Sequence, residues 1–202
     1  MSALLHLDAE VLPEKIVWNP PLSDDEFEAL AFANDSLRLE RTKDGEILMT
    51  PATGDDTGRA NAEIIKQLGV WWDSHGQGSV YDSSTGFFLP DGSNLSPAAA
   101  YVLPETLGPR AGRGPKMAHH CPDFVIELLS NSDRLSKVQT KMQDWISNGA
   151  ALAWLVDPYK RQVTVYAPGK TPEVVSGDSV EGSCPVEGFM LNLTKIWRFY
   201  ET

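Results

Sequence analysis

The order of apolar patterns predicts an α/β or α+β domain, a mixed and highly curved sheet flanked by helices, with an N-terminal β-hairpin extension and at least one right-handed crossover. Three observations predict it. Leu37–Arg41 and Glu46–Met49 alternate in polarity around Lys43-Asp44-Gly45, as a hairpin should. Ala60, Ile64, Leu68 and Trp71 or Trp72 recur at helical spacing. Phe124–Leu129 is a nearly unbroken apolar run, followed by a helical pattern and a second run at Ala153–Val156.

An extended, proline-containing arm reaches about Pro21, and a short helix capped by Ser23 runs to about Ala33, with Asp24-Asp25-Glu26 complementing its dipole. The hairpin follows, then a helix over Thr57–Ser74 that stops at His75-Gly76. Ser79–Tyr81, Gly86–Leu89 and Ala98–Val102 are expected strands of one sheet, separated by turn residues such as Pro90–Asn94. A Gly/Pro loop between Gly108 and Pro115 precedes Phe124–Leu129, and Ser132-Asp133 should cap a helix that ends at Asn148-Gly149. Ala153–Pro158 and Gln162–Tyr166 are further strands, and the tail carries a short strand near Val174 and a helical turn at Leu193–Trp197. The expected division is residues 1–36 as arm and short helix and residues 37–202 as the main domain, within one globular domain overall.

The 202 residues are 42% hydrophobic, enough for a real core, and contain no run near the roughly 18 apolar residues of a membrane span. The start, Met1-Ser2-Ala3-Leu4-Leu5-His6, lacks a signal-peptide pattern, so a cytoplasmic location is expected. Cys121 and Cys184 stand far apart and are expected to be free thiols. A net charge of −11 argues against whole-surface attraction to nucleic acid, while Arg110, Arg113 and Lys116, then Lys137, Lys141, Lys160 and Arg161, allow a local basic cleft.

The most informative stretch is Cys121–Ser130, because it sets Glu127 inside a buried strand, where an unpaired carboxylate is costly and demands a metal, a cation or a hydrogen-bond donor. Asp123 is four residues away, on the same side of the strand but about 13 Å distant at roughly 3.3 Å per residue. One cation cannot bridge that span, so the partner of Glu127 must come from an adjacent strand. On the following helix Leu135, Val138, Met142, Trp145 and Ile146 form an apolar stripe. Lys141 falls at its edge and can snorkel toward Glu127.

Asp82–Phe87, Leu89–Ser93, Ser96-Pro97, Pro122–Ser130, Ser132–Arg134, Lys141 and Trp154–Pro158 together resemble the Uma2 family, over roughly Leu37 to Trp197. That family is placed in the PD-(D/E)xK nuclease superfamily, with a restriction-endonuclease-like fold. The resemblance implies a metal-dependent DNA endonuclease using Mg²⁺ or Mn²⁺, working as a homodimer, with DNA as partner. It implies Glu127 as catalytic metal ligand, the Leu128 main-chain carbonyl as a second ligand, Lys141 as the motif lysine and an aspartate directly after Ser96-Pro97.

That position is Ala98. The chain therefore departs from the pattern at the residue expected to complete the metal site, either as a natural pseudo-nuclease or through replacement of an aspartate. A second departure is Leu129 where a strict Glu-x-Lys spacing would have lysine. The resulting expectation is a nuclease inactive in this form; the alternative is a non-catalytic nucleic-acid- or protein-binding module.

Other residues stay open. Glu63 is either the additional acid that such a helix contributes in this superfamily or an exposed glutamate paired with Lys66. Asp82 is a turn residue or a supporting acid, and Asp157 is expected to cap a turn before Pro158. His119-His120-Cys121 has metal-ligand residue types, but adjacent histidines diverge on an extended chain and no fourth ligand is evident. The six tryptophans are expected in a core or a dimer interface rather than stacked on bases.

Overall fold

The computed structural model describes residues 15–35, 37–50, 53–75, 77–107 and 116–201. Arg110, Arg113, Gly76 and the first six residues lie outside them. The chain divides into two compact units.

The first unit contains β1 (Lys15–Val17), α1 (Asp24–Ala33), β2 (Arg38–Arg41), β3 (Glu46–Thr50), β5 (Phe87–Phe88) and β6 (Asn94–Leu95). Its strands form an antiparallel sheet in the order β1-β3-β2-β6-β5. Helix α1 starts where expected because Ser23 and Glu26 make a reciprocal capping box: the Ser23 amide donates to Glu26 Oε2 at 2.9 Å and the Glu26 amide to Ser23 Oγ at 3.4 Å. Phe27, Leu30 and Ala31 then face Leu39, Ile47, Met49 and Phe88. The buried Arg41 guanidinium ties this unit together, donating to the Leu22 and Gly92 carbonyls and to Asp24, and lying 5.3 Å from the ring centroids of both Phe27 and Phe88.

The second unit contains α2 (Asp55–His75), β4 (Ser79–Asp82), β7 (Ala99–Val102), α3 (Pro104–Leu107), β8 (Phe124–Leu128), α4 (Leu135–Ser147), β9 (Leu152–Asp157), β10 (Gln162–Tyr166), β11 (Glu173–Ser176), β12 (Ser179–Glu181), β13 (Met190–Asn192) and α5 (Thr194–Trp197). Six strands run in the order β11-β10-β9-β8-β7-β4. Only β8 and β9 are parallel, and α4 makes the crossover between them. The sheet is thus mixed, as expected, while β12 and β13 pair separately.

Alternation assigns the faces of the six-stranded sheet. Tyr101, Phe124, Ile126, Leu152, Trp154 and Val156 join one cluster with Ala60, Ile64, Leu68 and Trp71 of α2 and with Phe189, Ile196 and Trp197. Each of the fully buried Ile, Leu, Val and Phe side chains among them contributes about 1.5–3 kcal/mol by leaving water. Residues at odd positions of β8 and β9 face the other way, toward α4, whose Met142 and Trp145 are fully buried. Gly149, at φ +118, ends α4 in a backbone conformation that a residue with a Cβ rarely adopts.

Three expectations are corrected. Ser79–Tyr81, Gly86–Leu89 and Ala98–Val102 do not share a sheet: β5 belongs to the five-stranded sheet and β4 and β7 to the six-stranded one. Two-residue strands such as β5 and β6 have no periodicity of their own, so their partners are fixed by distant contacts such as the Arg41–Asn94 pairing. Ser132-Asp133 does not cap α4. The Asp133 carboxylate instead accepts from the Ser130 amide at 2.8 Å and hydroxyl at 2.6 Å, and Arg134 occupies the N-cap position, where its side chain makes no capping bond to the helix. Glu63 is not exposed. It is buried at 5% and paired with Lys66, with Arg198 at 3.8 Å and with the Gln67 amide.

Candidate functional site

Strand β8 is buried along its whole length because it has a strand on each side and a helix layer on each face. Its one ionisable residue, Glu127, points to the α4 side, opposite Leu155 of β9. Lys141 and Trp145 are one helical turn apart on α4, so both side chains descend on the same patch of sheet. Lys141 Nζ lies 2.8 Å from Glu127 Oε1, and the Trp145 indole N–H donates to the same oxygen at 2.9 Å. Hydrogen bonds to a charged group contribute about 1.5–3 kcal/mol each, which offsets the desolvation of a carboxylate only 7% exposed.

Position 98 lies at one end of the β7–β8 ladder. β7 pairs with β8 through Ala99–Ile126, Ala100–Val125 and Tyr101–Phe124; Ala98 immediately precedes β7 and Glu127 immediately follows Ile126 on β8, so both lie at the same end of this ladder. Ala98 is 7% exposed and presents only a methyl group.

The residues present do not fit a divalent cation. Glu127 supplies one side-chain carboxylate, and the Lys141 ammonium already rests on one of its oxygens. Leu128, which ends β8, could add a main-chain carbonyl. Mg²⁺ and its relatives require more hard oxygen ligands than this set contributes. Among the described residues, no three His, Cys, Asp or Glu side chains gather in a metal-binding group.

The remaining candidates sit elsewhere. Asp123 is fully engaged at the start of α3: its Oδ2 accepts from the Leu103 amide at 2.8 Å and its Oδ1 from the Thr106 hydroxyl at 2.9 Å. Burial, and next the Asp123 charge, push the nearby Tyr101 phenol above its usual range. Glu63 lies on α2, which packs on the sheet face opposite to that of Glu127, and the structure does not bring the two together. Asp82 is exposed at the end of β4. Asp157 accepts from the Tyr159 and Lys160 amides at 3.1 and 3.0 Å, holding the β9–β10 turn. His119 stacks on Phe88 at 4.7 Å and His120 meets Phe87 edge-on at 5.8 Å. Both cysteines are free thiols. Trp71, Trp145, Trp154 and Trp197 are core residues.

Trp145 is the participant that the sequence pattern concealed. Its place in the apolar stripe marked it as core, which it is, yet a buried indole N–H needs an acceptor. The available signal was its i+4 spacing from Lys141.

The Uma2 family, described as "Putative restriction endonuclease", matches residues 24–194. A comparison with curated proteins returned no match. Among solved structures, the crystal structure of a protein from Anabaena variabilis ATCC 29413, described as a putative nuclease belonging to DUF820, superposes with a TM-score of 0.74. It shares 18% identity, and the alignment covers 90% of this chain and 100% of that one, so the likeness establishes the fold. With the family match extending over most of its length, from α1 to α5, the chain belongs to the Uma2 family.

Proposed function

We propose that this chain is a catalytically disabled member of a family of metal-dependent DNA endonucleases, and that Ala98 is what disables it. What supports this reading is that Ala98 immediately precedes β7 at the end of the β7–β8 ladder where Glu127, the buried acid of the central strand, follows Ile126. In the intact set, an aspartate at 98, Glu127 and the Leu128 carbonyl would hold Mg²⁺ or Mn²⁺, and DNA would be the substrate. Lys141 would stabilise charge developing on a phosphate. In this chain the ammonium is instead engaged with Glu127.

An open polar groove adjoins the site. It runs between α4 and β9–β11, occupies about 540 Å³, and its lining includes Gln139, Gln143, Asp157, Lys160 and Gln162 together with Leu155, the register partner of Glu127. Amides and hydroxyls with one lysine and one carboxylate suit close hydrogen bonding to a nucleic-acid strand better than long-range attraction, in keeping with a chain of net charge −11. The proposed organisation is a single functional domain over residues 37–202, acting as a homodimer so that two sites meet two strands. The described helices include none long and apolar enough to cross a membrane.

A second reading is a binding module that keeps the scaffold and dispenses with hydrolysis. The Lys141–Glu127 pair favours it, since that pair balances the buried charge without a metal. The two readings separate in one experiment: cleavage of plasmid and single-stranded DNA with Mg²⁺ or Mn²⁺ by this chain, by Ala98→Asp, and by Ala98→Asp with Glu127→Ala. Nicking by the Ala98→Asp protein alone supports the disabled nuclease. Silence from all three at high protein concentration favours the binding module.

A further inference from the structure

Away from Glu127, the second unit carries another open groove, of about 480 Å³, between α2 and β13. Lys66, Val70 and Ser74 line its helical wall at i, i+4 and i+8, and Asn192, Met190 and, just before β13, Gly188 line the other wall at alternate positions. Two helical turns rise about 12 Å and four strand steps about 13 Å, so the walls match in length. Buried Trp71 and Phe189 give the groove an apolar floor, while Val70 and Met190 are 62% and 58% exposed.

The β13 wall is an open sheet edge. The Gly182 amide donates to the Phe189 carbonyl at 2.7 Å and the Leu193 amide to the Asp178 carbonyl at 2.8 Å, on either side of the Glu181–Met190, Val180–Leu191 and Ser179–Asn192 pairs. Bonded and non-bonded pairs alternate along an antiparallel ladder, so Met190 and Asn192 turn their amides and carbonyls away from β12. At Asn192 the Gln67 side chain stands in for a strand: its Oε1 accepts from the Asn192 amide at 2.7 Å and its Nε2 donates to the Asn192 carbonyl at 3.2 Å. Met190 presents the same two groups one repeat along the edge, and the next groove residue of α2, Val70, has no polar side chain to meet them. The charge of the groove is also one-sided. Its lining includes Lys66, His75 and Lys195 and, among the described residues, no carboxylate, in a chain of net charge −11. Lys66 is paired with Glu63, whereas Lys195 makes no ion pair among the described residues.

We propose that this groove docks an extended acidic peptide segment of a partner protein, which adds its main chain to β13 at Met190, rests an apolar side chain on Trp71 and Phe189, and meets Lys195 with a carboxylate. The edge offers a donor and an acceptor from one residue, the pattern that another polypeptide backbone answers. A nucleic-acid strand carries no such row of amides.

The test titrates the full chain with a fluorescein-labelled peptide, Glu-Val-Glu-Val-Glu-Val, by anisotropy, and follows the Met190 amide and Trp71 indole resonances of the ¹⁵N-labelled chain. We expect saturable binding that moves both resonances, and no binding of Lys-Val-Lys-Val-Lys-Val. Only alternate amides of an added strand face its neighbour, so N-methylation of the valine amides and N-methylation of the glutamate amides should differ, one abolishing binding and the other sparing it. Lys195→Glu and Val70→Glu each set a carboxylate against the acidic peptide and should weaken it about fivefold. Absence of binding, an equal effect of the two methylation patterns, or unchanged affinity in both variants overturns the proposal. Movement of the Met190 amide by oligo(dT) in place of the peptide, or on dilution of the chain alone, assigns the groove to nucleic acid or to a second copy and overturns it too. Both substitutions lie at exposed positions, and the methylated peptides decide the matter in the unaltered chain if either variant folds poorly.

Discussion

The Lys141–Glu127 pair makes a quantitative prediction about stability. Lys141→Met keeps the length and apolar stem of the side chain and removes its charge, leaving Glu127 ionised in a site only 7% exposed. Stranding one partner of a buried ion pair costs about 3–5 kcal/mol. The Trp145 donor remains, which places the expected loss at the lower end, about 3 kcal/mol. For a chain of this size, where each kcal/mol moves the midpoint by about 2–4 °C, that is a fall of roughly 6–12 °C. Glu127→Gln should cost less, about 1.5 kcal/mol, because a glutamine oxygen can still accept from the indole and Lys141, 15% exposed, can turn its ammonium to water. In Glu127→Gln with Lys141→Met no charge is stranded, so the double variant should be more stable than the sum of the single losses predicts, by about 2 kcal/mol. Urea unfolding of the four proteins measures this coupling. Additivity within about 0.5 kcal/mol would show that the two groups do not sense each other and would refute the reasoning.

Other consequences are local. Asp123→Ala should destabilise by about 1–2 kcal/mol through loss of the Leu103 and Thr106 bonds, yet leave Mn²⁺ affinity unchanged in an Ala98→Asp protein, as calorimetry would reveal. Ser23→Ala should lower the unfolding midpoint at neutral pH, since the Ser23 backbone and then its hydroxyl hold the Glu26 carboxyl below the ordinary glutamate range. A depressed carboxyl contributes stability above its unfolded value and loses it as pH falls through its folded value. The difference between Ser23→Ala and this chain should therefore shrink on acidification through that window, which unfolding midpoints across an acid pH series would check.

The parts of the fold that could be read directly are those whose pattern is local. The α2 stripe, the Lys43–Gly45 turn and the largely apolar β8 each carry their own periodicity or turn chemistry, and each stands where expected. The association of Ala98 with Glu127 was implied by the family pattern rather than by spacing, and the β7–β8 pairing ends at Ala99–Ile126, one residue short of both. Elements decided by distant partners were not legible. Asn94 read as the end of a turn because so short a segment shows no alternation, and with Leu95 it becomes β6 only through β2 and β5. Glu63 looked exposed on its own helix, where Lys66 is visible at i+3, but Arg198 lies at the far end of the chain. Ser132-Asp133 had the composition of a cap, and its carboxylate found the Ser130 amide first. Trp145 was hidden by its own apolarity, since a pattern of hydrophobes registers the ring and not the N–H.

The claim that position 98 and Glu127 form one cation site is tested most directly by Mn²⁺ titration calorimetry of this chain, of Ala98→Asp, and of Ala98→Asp with Glu127→Ala. The account predicts saturable binding of one Mn²⁺ per chain in Ala98→Asp, and none in the other two proteins at the same concentrations. Equal Mn²⁺ binding with and without the aspartate, or binding that survives Glu127→Ala, would contradict it.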